Sequence, residues 1–159
     1  RSTTSALVLT AVLIALATLF TMYTKIPVPG IRGYFNVGDV VIMTSALLLG
    51  RKYGAYIGAI GPALADLFLG YAVFVPITFV VKGIEGYLVG TVYNNKTTTS
   101  ALVATIVGGI VIVAGYFIAE YFVFDPGVAI ASVLTNTIQA VMSVIVSMIL
   151  YAILRKRLG

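Results

Sequence analysis

Lys82 and Glu85 stand three residues apart inside an otherwise apolar stretch, and the other acids, Asp39, Asp66, Glu120 and Asp125, are scattered through similar surroundings. At i and i+3 of a helix, Lys82 and Glu85 project from one face. There they either neutralise each other or present a donor and an acceptor to a polar ligand. Asn36, Asn136 and Gln139 add uncharged groups that can both donate and accept. The chain has no His and no Cys. That removes disulfides, thiolate nucleophiles, the usual zinc sites and the commonest general base. No nucleophile constellation is recognisable, so an enzyme is the weakest reading and no cofactor is implied.

The elements that must position these groups follow from composition. Of 159 residues, 60% are hydrophobic and 9% charged, and the mean hydropathy is +1.10. A soluble domain carries roughly 25% charged residues, so lipid is the solvent that suits this surface. A helix rising about 1.5 Å per residue needs about 20 residues to cross a hydrocarbon core of about 30 Å. The chain therefore has room for six such segments in one all-α transmembrane domain spanning residues 1–159. No stretch reads as a cleavable signal peptide, and the opening Arg1 leaves the native N-terminus open.

Apolar runs and their punctuation predict helices over Thr4–Thr24, Val37–Gly50, Tyr53–Leu69, Val75–Tyr93, Ser100–Phe122 and Val128–Leu154. The breaks are Pro27-Val28-Pro29-Gly30, the Gly50-Arg51-Lys52 turn, Gly70-Tyr71, Asn94-Asn95-Lys96-Thr97 and Asp125-Pro126-Gly127. The second segment is short for a full span. Pro76 falls near the start of the fourth, where a missing N–H costs little. An even number of spans puts both ends on one side. Arg1, Arg51, Lys52, Lys96, Arg155, Lys156 and Arg157 share that side, against Lys25 and Arg32 on the other. This bias predicts cytoplasmic termini in the cell membrane. The net charge of +5 then points to anionic lipid or a cytoplasmic partner rather than nucleic acid.

All five acids fall away from the basic side, as do Asn136 and Gln139. An ionisable group in hydrocarbon costs about 2.5–3.5 kcal/mol on insertion scales, so their gathering needs a reason. One reading is a ligand pocket that opens outward. The other is a set of internal salt bridges that lock the bundle, with Asp66–Lys82 as the expected pair. Gly83 and Gly86 beside Lys82 and Glu85 leave room for a ligand or a neighbouring helix. Tyr34, Phe35, Tyr71, Phe74, Tyr116 and Tyr121 either stack on a flat ring or form an ordinary interfacial aromatic belt. The loop Lys25–Asn36 is either a lid or a connector. In the first segment, Ala11 and Ala15 form a small-xxx-small pair, with Thr18 expected on the same face, and small residues let another helix come close in lipid.

Three stretches resemble a known family. They are Gly33-Tyr34-Phe35-Asn36-Val37-Gly38-Asp39-Val40-Val41, the run Gly58–Gly70 with Pro62 and Ala65-Asp66, and Pro76 through Lys82-Gly83-Ile84-Glu85-Gly86. With the six-span layout and the Ala11/Ala15 pair, the whole chain is similar to the substrate-binding S components of energy-coupling factor (ECF) vitamin transporters. The resemblance implies capture of a vitamin or its precursor in the outer half of the bundle, under the loop between the first two helices. It implies docking through Ala11 and Ala15 on a membrane scaffold subunit coupled to two ATP-hydrolysing subunits. It also implies Asn36, Asp39, Tyr71, Lys82, Glu85, Tyr116, Glu120, Asn136 and Gln139 as candidate substrate-binding residues. The branch is similar to those that take hydroxymethylpyrimidine, thiamin-related compounds or pyridoxine, with a riboflavin type as the alternative. The absence of a P-loop pattern fits energy supplied by partners.

Two rivals come from other classes. A self-sufficient secondary transporter or small channel calls for an internal repeat or paired broken helices, and the sequence shows no repeat. A structural membrane subunit would use the polar groups only as salt bridges.

Overall fold

The computed structural model describes residues 3–27, 29, 34–94 and 96–158. Arg32 and the side chains of Tyr34 and Phe35 lie outside what is described. Among these residues six helices follow one another: α1 (Thr3–Tyr23), α2 (Gly38–Leu49), α3 (Arg51–Phe68), α4 (Phe74–Val92), α5 (Thr98–Val123) and α6 (Pro126–Leu158). Four of them, α1, α4, α5 and α6, are long and apolar enough to cross a membrane. The 12-residue α2 rises only about 18 Å, and α3 carries Arg51, Lys52 and Asp66.

The sequence explains the boundaries. Gly50 has φ 95° between α2 and α3, a left-handed conformation that glycine adopts without a Cβ clash. One residue therefore reverses the chain. Gly70, with φ 83°, ends α3 in the same way. Thr97 and Ser100 form a reciprocal capping box at the start of α5. At α6, Pro126 takes the first position, and the Asp125 carboxylate accepts the Val128 N–H at 3.0 Å.

The expected loop between α1 and α2 contains two short strands, β1 (Ile26–Pro27) and β2 (Tyr34–Phe35), paired antiparallel with Ile26 opposite Phe35. Two-residue strands carry no period that a sequence reading detects. The pairing nonetheless fixes where the chain re-enters the bundle at Asn36. The Thr24 hydroxyl, accepting the Val37 N–H at 3.1 Å, ties that entry to the end of α1.

The packing is inverted relative to a soluble protein. Leu7, Ile110, Phe122, Ile130 and Leu134 are more than half exposed, whereas Asp39, Asp66, Lys82, Glu85, Glu120 and Gln139 are buried. An apolar belt of this extent needs a lipid surround. The chain is a multi-pass membrane protein.

The closest helix crossing is α3 against α4. A Cβ at Gly54 would lie 2.6 Å from the Gly86 carbonyl oxygen, and Gly83 faces Ala59. The glycines beside Lys82 and Glu85 therefore admit a neighbouring helix rather than a ligand. Small residues at a crossing let backbones meet where lipid supplies no hydrophobic drive. The result holds the polar face of α4 inward.

On α1, Thr18 is buried and its hydroxyl donates to the Gly61 carbonyl of α3 at 3.0 Å, while Ala11 and Ala15 are exposed. The expectation that Thr18 shares a face with the alanine pair is corrected. Thr18 sits at the edge of the α3-facing stripe, and the alanines remain on the open surface.

Candidate functional site

Five elements bring side chains to one region in the half of the bundle that carries the hairpin. Asp39 lies in the first turn of α2, where the free N–H groups and the helix dipole favour a carboxylate. Just before it, the Asn36 side-chain amide oxygen accepts the Gly38 N–H at 2.8 Å. The Asn36 backbone N–H donates to the side-chain amide oxygen of Gln139 on α6 at 3.0 Å. The Gln139 amide nitrogen donates to Asp39 at 2.7 Å. One amide thus clamps the hairpin's exit and the first turn of α2 together.

The Lys82 ammonium of α4 bonds to the other Asp39 oxygen. It stands 3.7 Å from Glu85 and 5.5 Å from the centre of the Tyr116 ring on α5. The Tyr116 hydroxyl shares a 2.8 Å hydrogen bond with Thr78. Thr78 in turn donates to Asp66 of α3 at 2.5 Å. A continuous polar chain therefore runs from Asn36 through Gln139, Asp39, Lys82, Tyr116 and Thr78 to Asp66.

The expected Asp66–Lys82 ion pair is not formed. Lys82 pairs with Asp39 and Glu85, and Asp66 receives the Thr78 hydroxyl instead. The physical reason is reach. Asp39 enters from α2 on the side toward which α4 turns its polar face, whereas Thr78, one turn before Lys82, occupies the space in front of Asp66. Thr78 was missed in the sequence, although its i−4 spacing from Lys82 puts it on the same helical face.

Glu85 is the distinctive member. It is fully buried, and neither carboxylate oxygen has a hydrogen-bond partner among the described residues. It packs against the backbone gap at Gly108 of α5. A buried carboxyl left without donors costs at least about 1–3 kcal/mol. Lys82 is shared between two carboxyls, so acid outweighs base at this centre. The arrangement suits a ligand that brings hydrogen-bond donors.

The remaining candidates sit nearby but apart from this chain. Glu120 is buried one turn beyond Tyr116 and accepts a hydrogen bond from Ser132. Ser132 is a second residue the sequence reading missed, on the Gln139 face of α6. Asn136 lies on that same face and is half-buried. Tyr71 is half-buried in the α3–α4 turn, edge-on to Phe74 at 6.4 Å, with the Lys25 ammonium 5.4 Å over its ring. Tyr121 is partly exposed, as an aromatic belt residue would be. No group of acids able to hold a metal ion occurs among the described residues.

The six-helix bundle that encloses this cluster is a fold shared with a solved protein. Residues 1–156 match the family described as ECF-type riboflavin transporter, S component. The chain belongs to this family. Among relatives of the S component described here, an uncharacterised protein in the gap 3' region of Pyrococcus woesei is 41% identical over 145 residues, 89% of this chain and 96% of that one. The thiamine precursor transporter HmpT of Lactococcus lactis subsp. cremoris (strain MG1363) is 30% identical over 149 residues, covering 92% of this chain and 83% of HmpT. The solved S component of a bacterial ECF transporter shares the fold with a TM-score of 0.81, at 20% identity and 99% coverage of both chains. The family is one of transporter subunits rather than an enzyme class, and the S component's role is substrate capture for an ECF-type importer.

Proposed function

We propose that this S component captures a thiamine precursor of the aminopyrimidine class, with Glu85 as the principal recognition residue. The observation that carries this reading is the buried Glu85 carboxyl, both of whose oxygens lack hydrogen-bond partners among the described residues. An aminopyrimidine protonated on its ring nitrogen offers two adjacent N–H donors, one on the exocyclic amine and one on the ring, a two-point edge that matches the two Glu85 oxygens. Lys82 and Gln139 then supply donors and an acceptor for a hydroxymethyl substituent. Tyr116 sets an aromatic face beside the ring. Asn36 and Asp39 hold these groups in register. Tyr71, Glu120 and Asn136 form the outer rim of the same site. The 30% identity to a thiamine precursor transporter supports this class of ligand.

Riboflavin is the second reading, favoured by the description of the matching family. Titration calorimetry on the purified chain separates the two. Hydroxymethylpyrimidine is expected to bind and riboflavin to give no heat. Each hydrogen bond to a charged group is worth about 1.5–3 kcal/mol, so Glu85→Ala is expected to weaken binding at least about ten-fold. Tight riboflavin binding with no response to the pyrimidine would reject the first reading in favour of the second.

The basic residues Arg51, Lys52, Lys96, Arg155, Lys156 and Arg157 gather at the end of the bundle opposite the site, which supports cytoplasmic termini and an outward-facing site. Ala11 and Ala15, exposed on α1, form the face that meets the scaffold subunit, and two ATPase subunits drive the cycle. The structural-subunit reading is disfavoured by the same Glu85, since a pure locking bridge would bring the Lys82 ammonium within hydrogen-bond distance rather than leave it at 3.7 Å.

A further inference from the structure

α1 and α6 both pack on the short α2 and leave a groove along it of about 400 Å³. Leu9 and Phe20 of α1 form one wall and Leu150 and Leu154 of α6 the other, over a floor that includes Thr44 and Leu48. From Leu9 to Phe20 a helix rises about 16 Å, close to half of a hydrocarbon core of about 30 Å. The groove is therefore about as deep as one lipid monolayer, and it ends where the basic residues gather. Leu150, Leu154 and Arg157 stand at i, i+4 and i+7, so exposed Arg157 continues the groove-lining face of α6 past its apolar wall. Exposed Lys52 stands in the first turn of α3, just past the Gly50 turn that follows groove-lining Leu49, which places it at the basic end of the bundle. Arg51 and Arg155 are engaged elsewhere, each 5.7 Å over a tyrosine ring, Tyr87 and Tyr151 respectively.

An apolar slot one monolayer deep with a cationic rim matches one acyl chain beneath an anionic headgroup. We propose that the α1–α2–α6 groove seats one chain of an anionic phospholipid from the leaflet at the basic end, its phosphate held by Arg157 and Lys52. This site is separate from the polar cluster and does not depend on which ligand that cluster takes.

The test is native mass spectrometry of the full chain released from nanodiscs containing equal phosphatidylglycerol and phosphatidylcholine. One phosphatidylglycerol adduct is expected to be retained in excess over phosphatidylcholine. A basic residue near the membrane surface contributes about 1 kcal/mol toward anionic lipid, so Arg157→Gln should lower the ratio about five-fold. Leu150→Trp fills the groove and should remove the adduct with helix content unchanged by circular dichroism. Leu154→Phe is the gentler substitute should the tryptophan prevent folding. A lipid held instead in the separate apolar groove between α5 and α6, lined by Ile110, Phe117 and Val141, would survive both groove-filling changes and overturn the proposal. Equal retention of the two lipids would also overturn it. A dimer dissolved by Leu150→Trp would assign the groove to a second copy. Loss of scaffold co-purification with the lipid adduct intact would assign it to that subunit. Either result would overturn the proposal.

Discussion

Replacing Lys82 by methionine removes the ammonium that bonds to Asp39 and stands 3.7 Å from Glu85, while keeping most of the side-chain volume. Both carboxyls then remain buried at about 1% exposure or less. Among the described residues, Asp39 then keeps the Gln139 amide at 2.7 Å, and Glu85 has no hydrogen-bond donor. Removing one partner of a buried ion pair costs about 3–5 kcal/mol, far more than the net worth of the intact pair, because the remaining charge is stranded. At about 2–4 °C per kcal/mol for a chain of this size, Lys82→Met should lower Tm in detergent by about 6–20 °C. The double variant Asp39→Asn/Lys82→Met removes the stranded charge at Asp39 and leaves an amide that Gln139 can still bond. It should recover more than half of the loss. The double-mutant cycle, read by differential scanning fluorimetry, then gives a coupling of more than about 1 kcal/mol. A single-variant loss under about 1 kcal/mol, or a double variant no better than the sum of the singles, would refute the assignment of Asp39 and Lys82 as a buried, mutually dependent pair.

Three further outcomes follow from the same geometry. Gln139→Ala releases both the Asn36 N–H and Asp39, leaving unsatisfied groups worth about 1–3 kcal/mol; ligand dissociation should speed up, and hydrogen exchange at Asn36 should rise well above wild type. Gly86→Ala forces α3 and α4 apart at Gly54 and should cost about 1–3 kcal/mol by overpacking, measured as loss of Tm, while the same change at Gly109, where a Cβ meets Ala140 at 3.3 Å, should cost less. Ala11→Trp or Ala15→Trp should abolish vitamin uptake in cells with ligand affinity unchanged by calorimetry; weakened affinity would mean that the docking face is misplaced.

Much of the architecture is legible in the residues. Proline and glycine punctuation, Gly50 and Gly70 above all, locates the helix ends within a few positions, because a left-handed glycine or a proline without an N–H stops a helix whatever surrounds it. The shortness of α2 is legible in the same way. What is not legible is which helix faces which. Asp66 and Asp39 offer Lys82 identical chemistry in the sequence. Only the α2–α4 contact decides for Asp39, with Thr78 standing before Asp66. Gly83 and Gly86 are equally ambiguous until α3 is seen against them, and Thr18 falls on a boundary between two faces that helical periodicity alone does not resolve. The two short strands at Ile26–Pro27 and Tyr34–Phe35 are too brief to leave a pattern.

Binding of an aminopyrimidine by Glu85 and the Lys82–Asp39–Gln139 network would leave its mark in the small molecules released from the purified protein. Mass spectrometry of denatured wild-type protein, expressed in cells supplied with hydroxymethylpyrimidine, should recover about one pyrimidine per chain. A folded Glu85→Ala variant should yield almost none. A flavin in its place, or an equal yield of pyrimidine from the variant, would contradict the account.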